Sequence, residues 1–449
     1  MQYVLNCEQK VYVPKSRLHP VLGELLSNYT CGGKWNVVKG ESETEITIGE
    51  FEKAEVEDAE FVLHITQSGV YIKGNDSACV MRGFVTFLDS IKYCEKRDVF
   101  YVECGTIYGR PDIAFRSVHL CVFPETKLEF LRKTVRACAV IKYTHIVFEF
   151  WGMLKFDCMK ELSWPFAHEK AEIKELVAEA NALGVEIIPM FNHLGHAAAC
   201  REVHGKHVIL DQNPKLQYMF KSYGWIWDIT REDVVELQRK VREELIEVCG
   251  AGSYFHLGCD EAYAIGHDAK SAKEMADYIN KVSAELKAKG RRAIMWHDML
   301  LSKSELADSV GMSSREVSEV LCKTLDKNIL IADWEYYSNG TIWESSGKLQ
   351  KEGFEVLCCP WHKPQNVRDG LNTLKKYNLF GLMHTTWNTL EVFGFREMVY
   401  AGVSAYGAGD KNMDDIHRFY CAELARKVMP SGGVYEKAGW SEKSVGPGL

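Results

Sequence analysis

Two adjacent carboxylates, Asp260 and Glu261, follow a short apolar segment and a glycine in the run Phe-His-Leu-Gly-Cys-Asp-Glu. The sequence predicts a helix capped by Thr230 that stops at Gly250, and a strand over Tyr254 to Leu257. The pair would then lie where a parallel strand opens into its loop, which is where strand–helix barrels build their active sites. Two carboxyl groups at such a position indicate acid–base chemistry, and the alternative is a surface turn that happens to contain Asp-Glu.

A repeated pattern begins at about residue 111: an amphipathic helix, a Gly or Asn that ends it, and a short apolar strand. Helices predicted over Glu169 to Leu183 and Ser271 to Lys289 would supply crossover connections. Eight such units predict an α/β fold of the TIM (β/α)8 barrel type. The candidate strands are Phe115 to Val122, Thr144 to Phe150, Val185 to Phe191, Tyr254 to Leu257, Ala293 to Trp296, Ile329 to Asp333, Phe354 to Cys359 and Phe380 to Thr385.

Residues 1–110 have a different pattern and predict a small α+β domain ahead of the barrel. Alternating strands are expected over Glu45 to Gly49, Phe61 to Thr66 and Gly69 to Lys73, and a helix over Ser77 to Cys94. The barrel is assigned to residues 111–425, with the boundary at Pro111. Residues 426–449 are rich in glycine and proline and are expected to form a loosely ordered C-terminal tail.

Composition excludes several classes of protein. The chain has 449 residues and a formal net charge of -8, with Lys and Arg scattered among acids, so nucleic acid is not an expected partner. We find no signal peptide and no apolar run long enough to span a membrane, so we expect a soluble, cytoplasmic protein without a membrane partner. The 15 cysteines fit free thiols in a reducing compartment, and none has zinc-site spacing, so neither metal nor cofactor is expected.

The predicted strand ends bring together acids, histidines and tryptophans. Aromatic faces stack on the C–H faces of sugar rings while carboxylates and Arg bind hydroxyls, so this composition favours a carbohydrate pocket. Any single tryptophan is more often structural, but five of the 11 in the chain fall at these positions. In strand order the residues are Arg116, Glu149 with Trp151, His196, Asp260 with Glu261, Trp296 with Asp298, Trp334, Trp361 with His362, and Trp387.

The chain resembles the glycoside hydrolase family 20 β-N-acetylhexosaminidases. Its motif from His256 to Glu261 is similar to the family's His-x-Gly-Gly-Asp-Glu signature, with Cys259 in place of the second glycine. The segment from Pro189 to His196 is similar to the family's Pro-Glu-x-Asp-x-Pro-Gly-His, and it has lost both acids. Arg116 stands where the family has an arginine opening the first barrel strand, and the small domain precedes the barrel in the same way.

What the resemblance implies is an exo-acting enzyme that removes terminal β-linked GlcNAc or GalNAc with retention, through attack by the substrate's own 2-acetamido oxygen. Glu261 would be the general acid and base, and Asp260 would orient the acetamido group. His196 would lie behind the acid, with Glu149 as its partner, and Arg116 would bind the ring hydroxyls at positions 3 and 4. Further substrate contacts are expected from Trp296, Asp298, Trp334, Trp361 and Trp387, and the substrate would be an oligosaccharide or glycoconjugate that ends in an amino sugar.

Two departures from the family pattern concern the sugar contacts. The family's tyrosine at the seventh strand is replaced by Trp361 and His362, for which Tyr336 or Tyr337 could substitute, and Thr389 stands where the family often has an acid. Two other readings stay open: a glycan-binding barrel without turnover, and a barrel hydrolase with a metal between Asp260 and His297 or His196. A homodimer is compatible with the sequence.

Overall fold

The computed structural model describes residues 1–198, 208–262, 268–306, 309–387, 390, 394–407 and 421–430. Its N-terminal part contains two sheets and two helices. The elements are β1 Gln2–Val4, β2 Lys10–Val13, α1 Pro20–Tyr29, β3 Asn36–Lys39, β4 Glu45–Gly49, β5 Phe61–Ile65, β6 Gly69–Gly74, α2 Ser77–Asp89, β7 Lys92–Cys94, β8 Val99–Glu103 and β9 Gly105–Gly109. The six-stranded sheet has the order β3-β2-β4-β6-β5-β9, and the three-stranded sheet has the order β1-β8-β7.

The rest of the described chain forms the predicted closed barrel of eight parallel strands, in which the last strand pairs with the first. The barrel strands are β10 Phe115–Cys121, β11 His145–Glu149, β12 Glu186–Met190, β15 Tyr254–His256, β16 Arg292–Trp296, β17 Leu330–Asp333, β18 Val356–Cys358 and β19 Gly381–Thr386. A short hairpin of β13 Phe220–Lys221 and β14 Ile226–Trp227 is inserted after β12.

Helices surround the barrel because each crossover connection turns its apolar stripe toward the sheet. They are α3 Leu128–Val140, α4 Lys170–Ala182, α5 Ile209–Gln212, α6 Glu232–Cys249, α7 Ala269–Ala288, α8 Arg315–Thr324, α9 Glu344–Lys351, α10 Pro364–Tyr377, α11 Phe395–Tyr406 and α12 Cys421–Lys427. Residues 431–449 of the predicted tail lie outside the described residues.

The barrel interior is a core of its own. Side chains such as Phe115, Val147, Ile188, Ile294 and Met383 form one buried cluster inside the ring of strands. Alternate residues of a strand point to opposite faces, so the neighbours of these residues point out toward the helices. This alternation decides which strand-end side chains reach the barrel mouth.

Two local predictions are wrong. The helix expected to reach Cys94 ends at Asp89, because Lys92–Cys94 pairs with Val99–Glu103 as a hairpin strand. The helix expected to be capped by Thr230 has Arg231 at its N-cap instead, since the Thr230 hydroxyl donates to Asp228 Oδ1.

The 14 cysteines that the structure describes are all free. Within the same residues, every helix is too short or too polar to cross a membrane.

Candidate active site

The segment after β15 turns sharply and aims the carboxylate pair. Gly258, Cys259 and Glu261 all have positive φ, at 67°, 71° and 50°. At Gly258 a Cβ atom would lie 2.2 Å from Asn192 Oδ1, so only glycine fits there. Cys259 stands in a left-handed conformation that costs a side-chain-bearing residue about 1–2 kcal/mol. The backbone around the pair is therefore held in shape by its surroundings.

His196 joins the two carboxylates. Its Nε2 lies 3.1 Å from Asp260 Oδ2 and 3.3 Å from Glu261 Oε2. Asp260 is buried at 5% exposure, whereas the Glu261 side chain is 23% exposed. Both acids thus contact the same nitrogen, and Glu261 is the more accessible of the two to solvent or a ligand.

A short loop positions His196. The backbone N–H of Ala197 donates to Trp225 O at 3.0 Å, and the rings of His196 and Trp225 are 4.5 Å apart. The preceding Gly195 lies so close to the motif that a Cβ atom would be 2.1 Å from Asp260 O. The glycine therefore allows the loop and the carboxylate pair to touch.

The backbone of Glu261 is clamped on both sides. Its N–H donates to Asp298 Oδ2 at 2.8 Å, and its carbonyl accepts from Trp225 Nε1 at 2.9 Å. These two bonds hold Glu261 in its left-handed conformation, which would otherwise cost about 1–2 kcal/mol. Asp298 was expected to contact the substrate; instead it is fully buried and supports the acid through the main chain. Trp225 was missed, because its contact comes from a long loop whose path the sequence does not reveal.

Asp298 is also a third carboxyl group of the site. It is fully buried, and its Oδ1 has no hydrogen-bond partner among the described residues. Burial, together with the neighbouring charge of Asp260, raises its pKa to about 7 from 3.8. Asp298 therefore keeps its proton to a higher pH than a free aspartic acid, which limits the negative charge beside the pair.

Aromatic side chains form a wall beside the carboxylates. The Trp387 indole donates to the Tyr336 hydroxyl at 2.7 Å, and Trp334 stacks on Tyr336 with ring centroids 5.0 Å apart. Trp361 lies 5.2 Å from Tyr336, and Trp296 lies 5.6 Å from Trp387. Trp334, Trp361 and Trp387 are half-buried, whereas Trp296, which was also expected to contact the substrate, is fully buried. Of the two tyrosines considered from the sequence, Tyr336 belongs to the wall and Tyr337 is 85% exposed.

Glu149 lies deeper in the mouth. Its Oε2 is 3.0 Å from His119 Nε2, and Asn192 Nδ2 donates to its Oε1. The His119 ring in turn lies 4.6 Å from Trp387 and 5.9 Å from Trp296. His119 and Asn192 were not predicted as site residues from the sequence. Strand alternation could have found His119, since it is four residues after the inward-facing Phe115.

The structure places Arg116 away from the predicted sugar site. It follows the inward-facing Phe115 by one residue, so it points out of the barrel near the N-terminal end of β10. Its guanidinium donates to the carbonyls of Lys142 and Ile113 at 2.8 and 2.5 Å and lies 3.6 Å from Glu60 Oε1. In this structure Arg116 therefore joins the barrel to the N-terminal domain and does not reach the mouth.

His297 lies behind the aromatic wall in a buried ion network. Its Nε2 is 3.2 Å from Asp333 Oδ1 and 3.8 Å from Glu335 Oε1. Burial opposes the charged form, but Asp333 and Glu335 prevail and raise the pKa of His297 to about 9. The backbone N–H of Trp334 donates to His297 Nδ1 at 3.3 Å, so this buried network braces the loop that carries Trp334.

Two groups of three side chains in the described part of the chain could hold an ion: His119, Cys121 and Glu149, and His297, Asp333 and Glu335. Neither group includes Asp260. A metal between Asp260 and His297, one of the alternatives left open by the sequence, therefore finds no support in this geometry, because His297 is committed to Asp333 and Glu335.

Known proteins share this fold. A chitobiase from Flavobacterium johnsoniae superposes with a TM-score of 0.65 at 14% identity, over 95% of this chain and 70% of that one. An N-acetyl-β-hexosaminidase from Streptomyces plicatus gives 0.65 at 15% identity, over 98% and 92%. A curated relative, a lacto-N-biosidase from Bifidobacterium bifidum, is 20% identical over 427 residues. That match covers 90% of this chain, which spans only 33% of the relative's length.

The family model described as glycosyl hydrolase family 20, catalytic domain, matches residues 160–363. This range contains His196, the Asp260–Glu261 pair and three of the tryptophans in the wall. With the barrel and its strand-end motif, the match makes this chain similar to the catalytic domain of glycosyl hydrolase family 20.

Proposed function

We propose that the protein is an exo-acting β-N-acetylhexosaminidase that releases terminal β-linked GlcNAc or GalNAc from oligosaccharides or glycoconjugates. The observation that carries the proposal is the contact of Asp260 and Glu261 with one imidazole nitrogen, beside a half-exposed tryptophan wall. A sugar that stacks on the wall can place its glycosidic oxygen at Glu261, because that carboxyl group is the exposed member of the pair.

Glu261 would act as general acid and protonate the leaving oxygen, and it would then act as base toward water. Asp260 would accept the acetamido N–H and turn the acetamido oxygen toward the anomeric carbon. That oxygen forms the bond to C1 as the aglycone leaves, and water later opens the positively charged ring so formed. His196 would hold both carboxylates in fixed orientations, because its Nε2 contacts each of them.

A direct carboxylate nucleophile fits this site less well. Such enzymes place two carboxyl groups on opposite sides of the scissile bond, roughly 5 Å apart. Here both carboxylates converge on His196 Nε2 from neighbouring positions of one loop. Attack by the substrate's own acetamido group removes the need for a second acid across the sugar.

The test is turnover of aryl β-GlcNAc and aryl β-GalNAc by the wild-type protein and by Glu261→Gln. Glutamine keeps the size and polarity of the side chain but cannot donate the proton, so kcat should fall on the order of 100-fold or more. Sugar binding should persist in the variant. A folded wild-type protein that binds GlcNAc but releases no aryl alcohol would instead support the glycan-binding barrel.

A further inference from the structure

A separate cavity lies at the end of the barrel opposite to the carboxylate pair. It has a volume of about 850 Å³ and is lined by the first residues of β10, β11, β12 and β15 and by the start of α2 in the N-terminal domain. Tyr254 begins β15 and lines this cavity, whereas Asp260 follows the end of the same strand. Cavities of roughly 300–1,000 Å³ hold small molecules, so this one is large enough for a ligand of its own.

Aromatic side chains form the floor of the cavity. The His145 ring stacks on Phe115 with ring centroids 4.3 Å apart, and Tyr254 meets Phe115 edge to face at 5.3 Å. Phe380 lies 5.2 Å from Phe115. Phe115 is buried, whereas Tyr254, His145 and Phe380 are half-buried and line the cavity. The floor is therefore an accessible aromatic surface, of the kind that packs on the C–H face of a sugar ring.

Hydrogen bonds fix the tautomer of His145. The Thr144 hydroxyl donates its proton to Arg116 O at 2.9 Å, so its 2.7 Å contact with His145 Nδ1 requires a proton on that nitrogen. Burial, together with the positive charges of Arg82 and Arg116, lowers the pKa of His145 to about 3 from 6.5. His145 is therefore neutral at neutral pH, and its Nε2 can only accept a hydrogen bond.

This acceptor nitrogen faces a carboxylate. Glu186 Oε2 lies 3.8 Å from His145 Nε2, and the two side chains are 22% and 15% exposed. Glu186 also accepts from the backbone N–H and the hydroxyl of Ser253. Two acceptors at this distance do not bond to each other, so the space beside them suits a ligand that donates hydrogen bonds.

The charges around the cavity disfavour an ionic ligand. Two carboxylates, Asp76 and Glu186, line it and would repel an anion. The guanidinium of Arg17, which also lines it, already donates to Ser77 Oγ and Asn181 O. A cation is disfavoured by the same two arginines that lower the pKa of the imidazole on the floor. A neutral ligand with several hydroxyl donors fits these surroundings best.

We propose that this cavity binds a neutral carbohydrate of one or two sugar rings, at a site separate from the proposed catalytic pocket. Hydroxyls of the sugar donate to His145 Nε2 and Glu186, and a C–H face of the ring packs on Tyr254 and Phe380. The inference goes beyond the proposed function, because it concerns binding alone. Since the two sites open at opposite ends of the barrel, the cavity holds a second glycan and not the far end of a short substrate.

Calorimetric titrations with N,N′-diacetylchitobiose, lactose and maltose test the site. Glu261→Gln is the background, because it keeps the catalytic pocket but should not hydrolyse the first of these sugars. Each titration is repeated after addition of Glu186→Gln or Tyr254→Leu, with Phe380→Leu as the second aromatic variant. We expect at least one sugar to show a binding event whose Kd rises about 10-fold or more in each of these variants, as for a lost hydrogen bond to a charged group or a lost aromatic contact.

Two controls locate the binding event. Trp387→Ala should weaken binding at the aromatic wall and leave the event in the cavity unchanged. Glu355→Gln removes a carboxylate that pairs with Arg292 at the same end of the barrel but outside the cavity, and it should leave both events unchanged. In the otherwise wild-type chain, Glu186→Gln and Tyr254→Leu should keep kcat/KM on aryl β-GlcNAc within about twofold, because distant sites act independently. Unfolding midpoints of every variant verify the fold.

Sugar binding that is the same with and without the cavity substitutions would overturn the proposal, as would a lack of binding by all three sugars. Inorganic phosphate that binds the wild type and not Arg17→Gln would also overturn it, because the cavity would then serve an anion. A wild type that turns over no aryl sugar would refute the proposed function alone, since the titrations measure binding and not turnover.

Discussion

Asp298→Asn tests the electrostatics of the site most quantitatively. Asparagine keeps an oxygen that can accept the Glu261 N–H, which Asp298 Oδ2 now accepts at 2.8 Å. It removes a carboxyl group that is fully buried beside Asp260. The substitution therefore changes the charge at this position with little change in shape.

The expected effect depends on pH in a definite direction. Burial and Asp260 raise the pKa of Asp298 to about 7 from 3.8, so the folded state holds this proton more tightly than the unfolded state. The stabilisation by this proton is complete below pH 4 and is lost as pH rises toward 7 and beyond. The difference between the two pKa values corresponds to about 4 kcal/mol. Asp298→Asn should thus match the wild type near pH 4 and exceed its stability by up to about 4 kcal/mol at pH 7.5.

The assay is denaturant unfolding of wild type and variant at pH 4.5, 6 and 7.5. Asp369→Asn serves as the matched control, because Asp369 is a buried carboxylate that accepts from Gly340 N–H outside the site. A difference in unfolding free energy between wild type and Asp298→Asn that is the same at all three pH values would refute the role of the buried proton. Asp298→Ala, which removes the acceptor itself, should lower kcat more than Asp298→Asn does.

Three further substitutions test the geometry around the pair. Cys259→Gly relieves the strain of a φ of 71° but removes a buried thiol, so the free energy of unfolding should change by less than about 1 kcal/mol. The value of kcat should stay the same. A large loss of kcat would show that the thiol has a role in catalysis. Gly195→Ala places a Cβ atom 2.1 Å from Asp260 O and should lower kcat/KM by about 100-fold through displacement of the carboxylate; unchanged kinetics would contradict the packing. Tyr336→Phe removes the acceptor of the Trp387 indole and should lower kcat/KM about 10-fold on aryl β-GlcNAc, whereas an unaltered value would show that the wall does not need this bond.

The sequence predicted the barrel because its evidence is local. Each strand is a short apolar run bounded by turn residues, and each helix has its own periodicity and stop, as at Gly250 and Gly290. The helix drawn through Lys92–Cys94 failed for the opposite reason. That segment is a strand only because Val99–Glu103 pairs with it, and such pairing depends on the fold around the segment and not on its own residues.

The site could be predicted only in part. The order of strand ends located Asp260, Glu261, His196 and the tryptophans, since parallel strands bring their carboxyl ends to one edge. The family resemblance placed Arg116 in the site, but Arg116 faces outward. The alternation of side chains along the strand decides this, because the preceding Phe115 faces inward. The contact of Trp225 with Glu261 crosses a long loop, and no local pattern encodes it.

Participation of the acetamido group is the central claim, and aryl β-GlcNAc substrates whose N-acetyl group carries zero, one, two or three fluorines test it directly. Fluorine withdraws electrons from the acetamido oxygen, so an oxygen that attacks C1 should react more slowly with each added atom. We predict that kcat/KM falls steeply and monotonically across the series. A flat series would contradict the account, because the sugar's own oxygen would then form no bond in the rate-determining step.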